Sequence, residues 1–149
     1  MNTFPPKVKI GVMGSSKELA TEGRAEDLRS LAWRLGTKIA KCGCVLITGA
    51  TTGLPDLISR AARSAGAITI GISPAQSREE HLGQYSLPDD GTEIIIYTGF
   101  GLKGRNVINV RASDIVIIAG GGIGTLNELT IALDEGKVIG VLEGSGGGC

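Results

Sequence analysis

The stretch DIVIIAGGGIGTLNE, residues 114–128, limits the fold more than any other part of the chain. A continuous apolar run rich in β-branched residues stops on three glycines, and residues with helical spacing follow. A strand apolar on both faces must be covered on both, as in a parallel sheet layered between helices. The unit recurs: similar runs occupy residues 7–13, 44–48, 67–73, 93–98, 114–119 and 137–142. Between them, Leu28, Leu31, Ala32, Leu35 and Ile39 form one helical stripe, and Leu54, Leu57, Ile58, Ala61, Ala62 and Ala65 form another. The order βαβαβ, loop, βαβαβ predicts a single domain over residues 1–149. Its expected architecture is a doubly wound three-layer α/β sandwich with a mainly parallel sheet and right-handed crossovers.

Charge and cysteines exclude several functions. Fifteen Lys plus Arg balance fifteen Asp plus Glu, so no global field draws the chain to nucleic acid or an anionic membrane. Any anion must be held locally. Cys42, Cys44 and Cys149 have neither zinc-site nor CxxC spacing, which predicts reduced thiols and no metal. No apolar run approaches the roughly 18–20 residues needed to span a bilayer, and no signal peptide is evident. A cytoplasmic protein is expected.

Glycine is the compositional outlier, with 24 residues, about twice the ordinary share of about 7%. Residues 144–149 read as a glycine-rich tail. The other glycines gather where apolar runs end, at the edge of a parallel sheet where helix N-termini point outward. Gly14, Ser15 and Ser16 follow the first run; Gly49, Ala50, Thr51, Thr52 and Gly53 follow the second; Gly99, Gly101 and Gly104 follow the fourth. Gly120, Gly121, Gly122 and Gly124 follow the fifth. Tight βα turns need glycine on their own account. Four such turns on one edge favour a cradle of backbone N–H groups for an anion such as phosphate.

Familiar phosphate motifs do not fit. There is no GxxxxGK[ST], and a GxGxxG frame from Gly120 places Thr125 where the last glycine belongs. Glu143 lies near the distance of a ribose-binding acid, which keeps a dinucleotide site as a rival.

Thr125 followed by Glu128 has capping-box spacing, a sufficient structural reason for the glutamate. The fold adds a second reading. Helices run antiparallel to the strands, so the helix beginning near Lys103 and the one near Thr125 start at the same edge, and Arg105 and Glu128 face one crevice. A guanidinium there can clamp phosphate; a carboxylate can stabilise an oxocarbenium-like centre or polarise water.

The segments GRNVINVRASDIVIIAGGGIGTLNE and ITGATTGLPDLISRAARSAG resemble the LOG (Lonely Guy) and molybdenum-cofactor-carrier-like group of Rossmann-type proteins, with an arginine-bearing helix before a strand and a PGGxGTxxE turn. The resemblance spans residues 7–142. It implies a Rossmann-like fold in which Arg105 and Glu128 match the residues implicated in catalysis and Arg111 matches a second arginine. Gly121, Gly122, Gly124 and Thr125 match the phosphate turn.

In LOG enzymes these features support hydrolysis of a nucleoside 5′-monophosphate to free base and ribose 5-phosphate, with no metal or organic cofactor, and that activity is the first expectation here, with a non-enzymatic carrier or sensor as the alternative. In carrier-like relatives the cleft is associated with an anionic pterin or nucleotide. The sequence departs from the enzyme pattern at Gly120, usually proline, and at Asn106, usually lysine; losing that lysine removes a phosphate charge. No residue argues for a Schiff-base lysine. A scaffold or DNA-handling role is disfavoured by the balanced charge.

The resemblance also implies a homodimer or higher homo-oligomer. Ile131 and Ala132 widen an apolar surface beyond Leu126, Leu129 and Leu133, and Trp33, off its helix stripe, is either a subunit contact or a partly exposed packing residue. Relatives usually continue into a closing helix, so one sheet face is expected to be bare or covered by a neighbour. Residues 74–92 have no clear period and read as a lid, a binding segment or a plain surface excursion. His81 within them is a candidate ligand contact, though a solvated loop histidine is the first expectation.

Overall fold

A computed structural model describes residues 3–16 and 24–146. Cys149 and the last part of the expected tail, residues 147–149, lie outside the described residues. All six apolar runs become strands: β1 (Lys9–Gly14), β2 (Val45–Thr48), β3 (Thr69–Ser73), β4 (Ile94–Tyr97), β5 (Ile115–Ala119) and β6 (Val138–Val141). The helices are α1 (Ala25–Lys41), α2 (Leu54–Ser64), α3 (Arg78–Leu82), α4 (Gly101–Ala112) and α5 (Ile123–Asp134). Every strand pair is parallel, in the order β4-β3-β2-β1-β5-β6. The chain winds outward from β1 to β4, then returns to place β5 on the other side of β1. That reversal puts the topological switch point, the usual ligand crevice of such sheets, between the ends of β1 and β5.

Two buried clusters make the three layers. Val12, Leu46 and Ala119 meet Ala32 and Ile39 of α1 and Leu54, Ile58 and Ala62 of α2. Met13, Val116 and Ile118 point the other way, toward Val110 of α4 and Ala132 of α5. Alternation along β1 therefore sends neighbouring residues into opposite cores. Gly36 lets α1 and α2 approach closely, since a Cβ there would lie 2.5 Å from the Ile58 carbonyl oxygen and 2.7 Å from Ala61 Cβ.

Two expectations are corrected, the solvated His81 and the outward-facing Ile131 and Ala132. Residues 74–92 are an ordered, pinned segment: Ser77 caps α3 by accepting from the Glu80 N–H at 3.2 Å, while Arg78 pairs with Asp89 and Arg60 with Asp90, both at 2.6 Å. His81, expected in solvent, is fully buried. Its Nδ1 lies 2.8 Å from Ser73 Oγ and its Nε2 2.9 Å from the Pro88 carbonyl oxygen, so the ring ties the segment to the end of β3. On α5, Ala132 is fully buried and Ile131 packs on the core, whereas Leu126 and Leu133 are exposed. The exposed apolar residues of α5 are thus Ile123, Leu126 and Leu133, while Leu129, Ile131 and Ala132 face the core. Trp33 is exposed on α1, and Val138 and Val141 are exposed on β6.

Candidate functional site

The switch point opens into a crevice of about 420 Å³, toward the small end of the roughly 300–1,000 Å³ usual for ligand sites. Its walls are the turns after β1, β2 and β5 and the first turns of α4 and α5. A hollow of about 410 Å³ runs along α1, lined by residues of that helix and its N-cap Arg24 together with Gly144. It brings no strand ends together.

Of the expected site residues, Gly14, Ser15, Ser16, Gly49, Thr51, Arg105, Gly122, Gly124, Thr125 and Glu128 line the crevice. The others stand behind it or away from it. Thr52 donates to the Ser16 carbonyl at 2.6 Å and fastens two turns together. Gly53, at φ +78°, begins α2. Gly121, at φ +130°, leaves room for the Thr125 side chain, which an added Cβ would strike. Arg111 is exposed and bonds Glu135 at 2.5 Å, away from the crevice lining.

The capping box is also corrected. The N-cap of α5 is Gly122, with no side-chain cap, so Thr125 sits at the third helical position and Glu128 a turn beyond the start. Cap chemistry therefore does not account for Glu128. The uncapped first-turn N–H groups of this 12-residue helix instead offer donors and a positive dipole end to an anion.

Arg105 and Glu128 are each 6% exposed. Nη1 of the arginine is 3.6 Å from Oε1 of the glutamate, an ion pair too long for a hydrogen bond. Burial holds the Arg105 pKa below its ordinary value, opposed by Glu128; the group stays a cation at physiological pH. Burial likewise pushes the Glu128 carboxyl above its ordinary 4.5, against the opposing pull of Arg105 and Asn109. Arg105 forms no hydrogen bond among the described residues, and its Nε is buried without a partner. Gly49 makes space for this guanidinium: a Cβ there would collide with Nη1 and lie 2.7 Å from Cζ.

Two participants, Asn109 and Lys103, escape the sequence reading. Asn109, one turn after Arg105 on α4, donates to Glu128 Oε1 at 3.2 Å and lies 3.0 Å from Met13 Sδ; its i+4 spacing from Arg105 was an available signal. Lys103 lines the crevice one turn before Asn106 and supplies a second cation there. Asn106, in place of the enzymes' lysine, bonds Asn127 at 3.0 Å.

No helix among the described residues is long and apolar enough to cross a membrane. A molybdenum cofactor binding protein from Rippkaea orientalis is 39% identical, with a TM-score of 0.76 over 91% of this chain and 76% of that one. A Moco carrier protein from Chlamydomonas reinhardtii is 33% identical, with a TM-score of 0.74 over 92% and 76% of the two chains. An Archaeoglobus fulgidus protein is 35% identical over 91% of this chain and 80% of its own length. The SLOG cluster4 family model matches residues 7–147. With its switch-point crevice, its arginine-bearing α4 and its GGxGTxxE turn, the chain belongs to the SLOG cluster4 family, in the LOG-like and molybdenum-cofactor-carrier-like group of Rossmann-type proteins.

Proposed function

We propose that the crevice binds a phosphorylated pterin- or nucleotide-like anion and holds it without turnover, as a carrier of the molybdenum-cofactor class. The observation that carries this reading is Arg105, a buried guanidinium lining the crevice with its donors unspent. Leaving charged donors unpaired in a desolvated site is costly, and an anion spanning Arg105 and the α5 N-terminus would satisfy them. Two relatives above 30% identity carry names that specify this cofactor. Arg105, Lys103 and Glu128 are the charged groups of the lining, so its formal balance is one positive charge with Glu128 ionised.

A second reading, hydrolysis of a nucleoside 5′-monophosphate, is favoured by Glu128 itself. A carboxyl that keeps its proton above the usual range, beside an anion seat, is suited to protonating a departing base. Mass spectrometry separates the two. A panel of nucleoside 5′-monophosphates, including an N6-modified adenosine monophosphate, is incubated with wild type and Glu128→Gln, and calorimetry follows binding of the molybdenum cofactor. The carrier reading expects unchanged nucleotides and stoichiometric cofactor binding. Free base with ribose 5-phosphate, lost in Glu128→Gln, would replace it with a phosphoribohydrolase.

Self-association belongs to the same proposal. Ile123, Leu126 and Leu133 on α5 and Val138 and Val141 on β6 are exposed apolar residues of neighbouring elements, and isologous pairing would cover them. Light scattering is expected to give at least twice the 15.3 kDa chain mass; a monomeric mass would refute pairing.

A further inference from the structure

Among the described residues, two buried polar atoms under the crevice lack partners: Arg105 Nε, a donor, and Asn109 Oδ1, an acceptor. The side chains that carry them meet at one carboxylate through other atoms, Arg105 Nη1 at 3.6 Å and Asn109 Nδ2 at 3.2 Å from Glu128 Oε1. The missing partners are an acceptor for the arginine and a donor for the asparagine. An anion on the crevice side of the guanidinium compensates its charge, and a proton on Glu128 offers the asparagine oxygen a donor.

We infer that the crevice is a proton-coupled anion site, in which seating an anion on Arg105 draws one proton from solvent onto the Glu128 carboxylate. The inference rests on Arg105 being the anion seat. With a proton on Oε2, Glu128 can close a two-bond acid–amide ring with Asn109. The existing Nδ2–H to Oε1 bond is kept, and Oε2–H donates to the orphaned Oδ1. The ionised carboxylate has no proton to give.

Electrostatics pushes the same way. Arg105 offsets the charge of Glu128 in the free protein, and an incoming anion competes for that guanidinium while adding like charge nearby. The other groups facing Glu128 do not replace this compensation. Asn109 on α4, Met13 on β1 and Thr125 on its own helix are uncharged, and Lys103 is an exposed cation on the α4 wall. Arg105 and Lys103 are the titratable crevice partners among the described residues. The free-state carboxyl already stands above 4.5 because of burial, so the coupling window lies above the ordinary carboxylate range. Within it, affinity rises as pH falls.

The test is calorimetric titration of the full chain with inorganic sulfate, which does not titrate in this range and offers no glycosidic bond. Wild type and Glu128→Gln are compared in buffers of high and low ionisation enthalpy. The glutamine side chain reproduces the ring with Asn109 without needing a proton.

Wild type is expected to take up close to one proton more per bound sulfate than the variant. At about pH 8 the variant binds more tightly, and the gap closes by up to about tenfold per pH unit as pH falls, the slope of one linked proton. Equal proton counts in two proteins that both bind sulfate would overturn the coupling and leave the anion seat standing. Failure of both to bind sulfate would remove the seat and the coupling together.

Discussion

Replacing Arg105 with alanine is expected to weaken anion binding about 100-fold or more. Truncating one member of a buried, hydrogen-bonding charge pair commonly costs about 2–5 kcal/mol, and each 1.4 kcal/mol is about tenfold. Lysine at the same position restores charge but not the planar fork, so Arg105→Lys is expected to recover part of the loss. Gly49 fits this interpretation because its missing side chain is what admits the guanidinium.

The alanine variant also uncovers Glu128, leaving a 6% exposed carboxylate bonded to Asn109 but without its cation. Breaking a buried pair costs about 3–5 kcal/mol. The low end is expected here, because the pair is long and its crevice is open. A carboxyl raised in the folded state gives stability that is fully present below its unfolded pKa and lost as pH rises through the folded value. The deficit of Arg105→Ala should therefore grow as pH climbs above the ordinary 4.5 and shrink in acid. Chemical denaturation across pH, paired with calorimetry, checks both effects. A variant that binds normally would show that Arg105 is a structural partner of Glu128 and that the anion sits elsewhere.

The sheet was legible in the sequence because continuous β-branched runs leave a strand few other places to go. All six runs are strands, and Arg105 and Glu128 meet because parallel order alone brings two helix starts to one edge. Details set by tertiary packing were not legible. Three consecutive glycines supply no side chain to mark the start of α5, so Thr125 was read as its cap, whereas Gly122 fills that position. The S-x-x-E spacing that does cap a helix is Ser77 to Glu80. It begins a helix of five residues, too short to show periodicity, and its fixation depends on Arg60, Asp89, Asp90 and the His81 contacts. On α5, apolar residues surround the helix, so spacing could not choose its inner face. The buried positions Thr125 and Glu128 face the crevice, and Ala132 packs into the apolar core.

Gly120→Pro is expected to damage the fold, although proline is the residue that LOG enzymes usually place there. Gly120 sits at φ +64°, whereas a proline ring holds φ near −65°. The peptide would have to swing through about 130° at the junction between β5 and the anion-facing start of α5. The space is closed as well, since a Cβ at Gly120 would lie 2.8 Å from the Ser145 carbonyl oxygen and 3.1 Å from that of Gly146. Substituting a residue whose backbone cannot adopt the native conformation costs more than the entropy gained by stiffening the unfolded chain, and about 2–4 kcal/mol is expected. That corresponds to a fall in melting midpoint of roughly 5–15 °C for a chain of this size. Gly120→Ala, which retains access to positive φ at a cost of about 1–2 kcal/mol, should lose less. Thermal unfolding of the two variants decides the matter: a proline variant as stable as wild type would mean that this turn accepts the enzymes' backbone path. The present placement of the α5 N-terminus would then not distinguish this crevice from theirs.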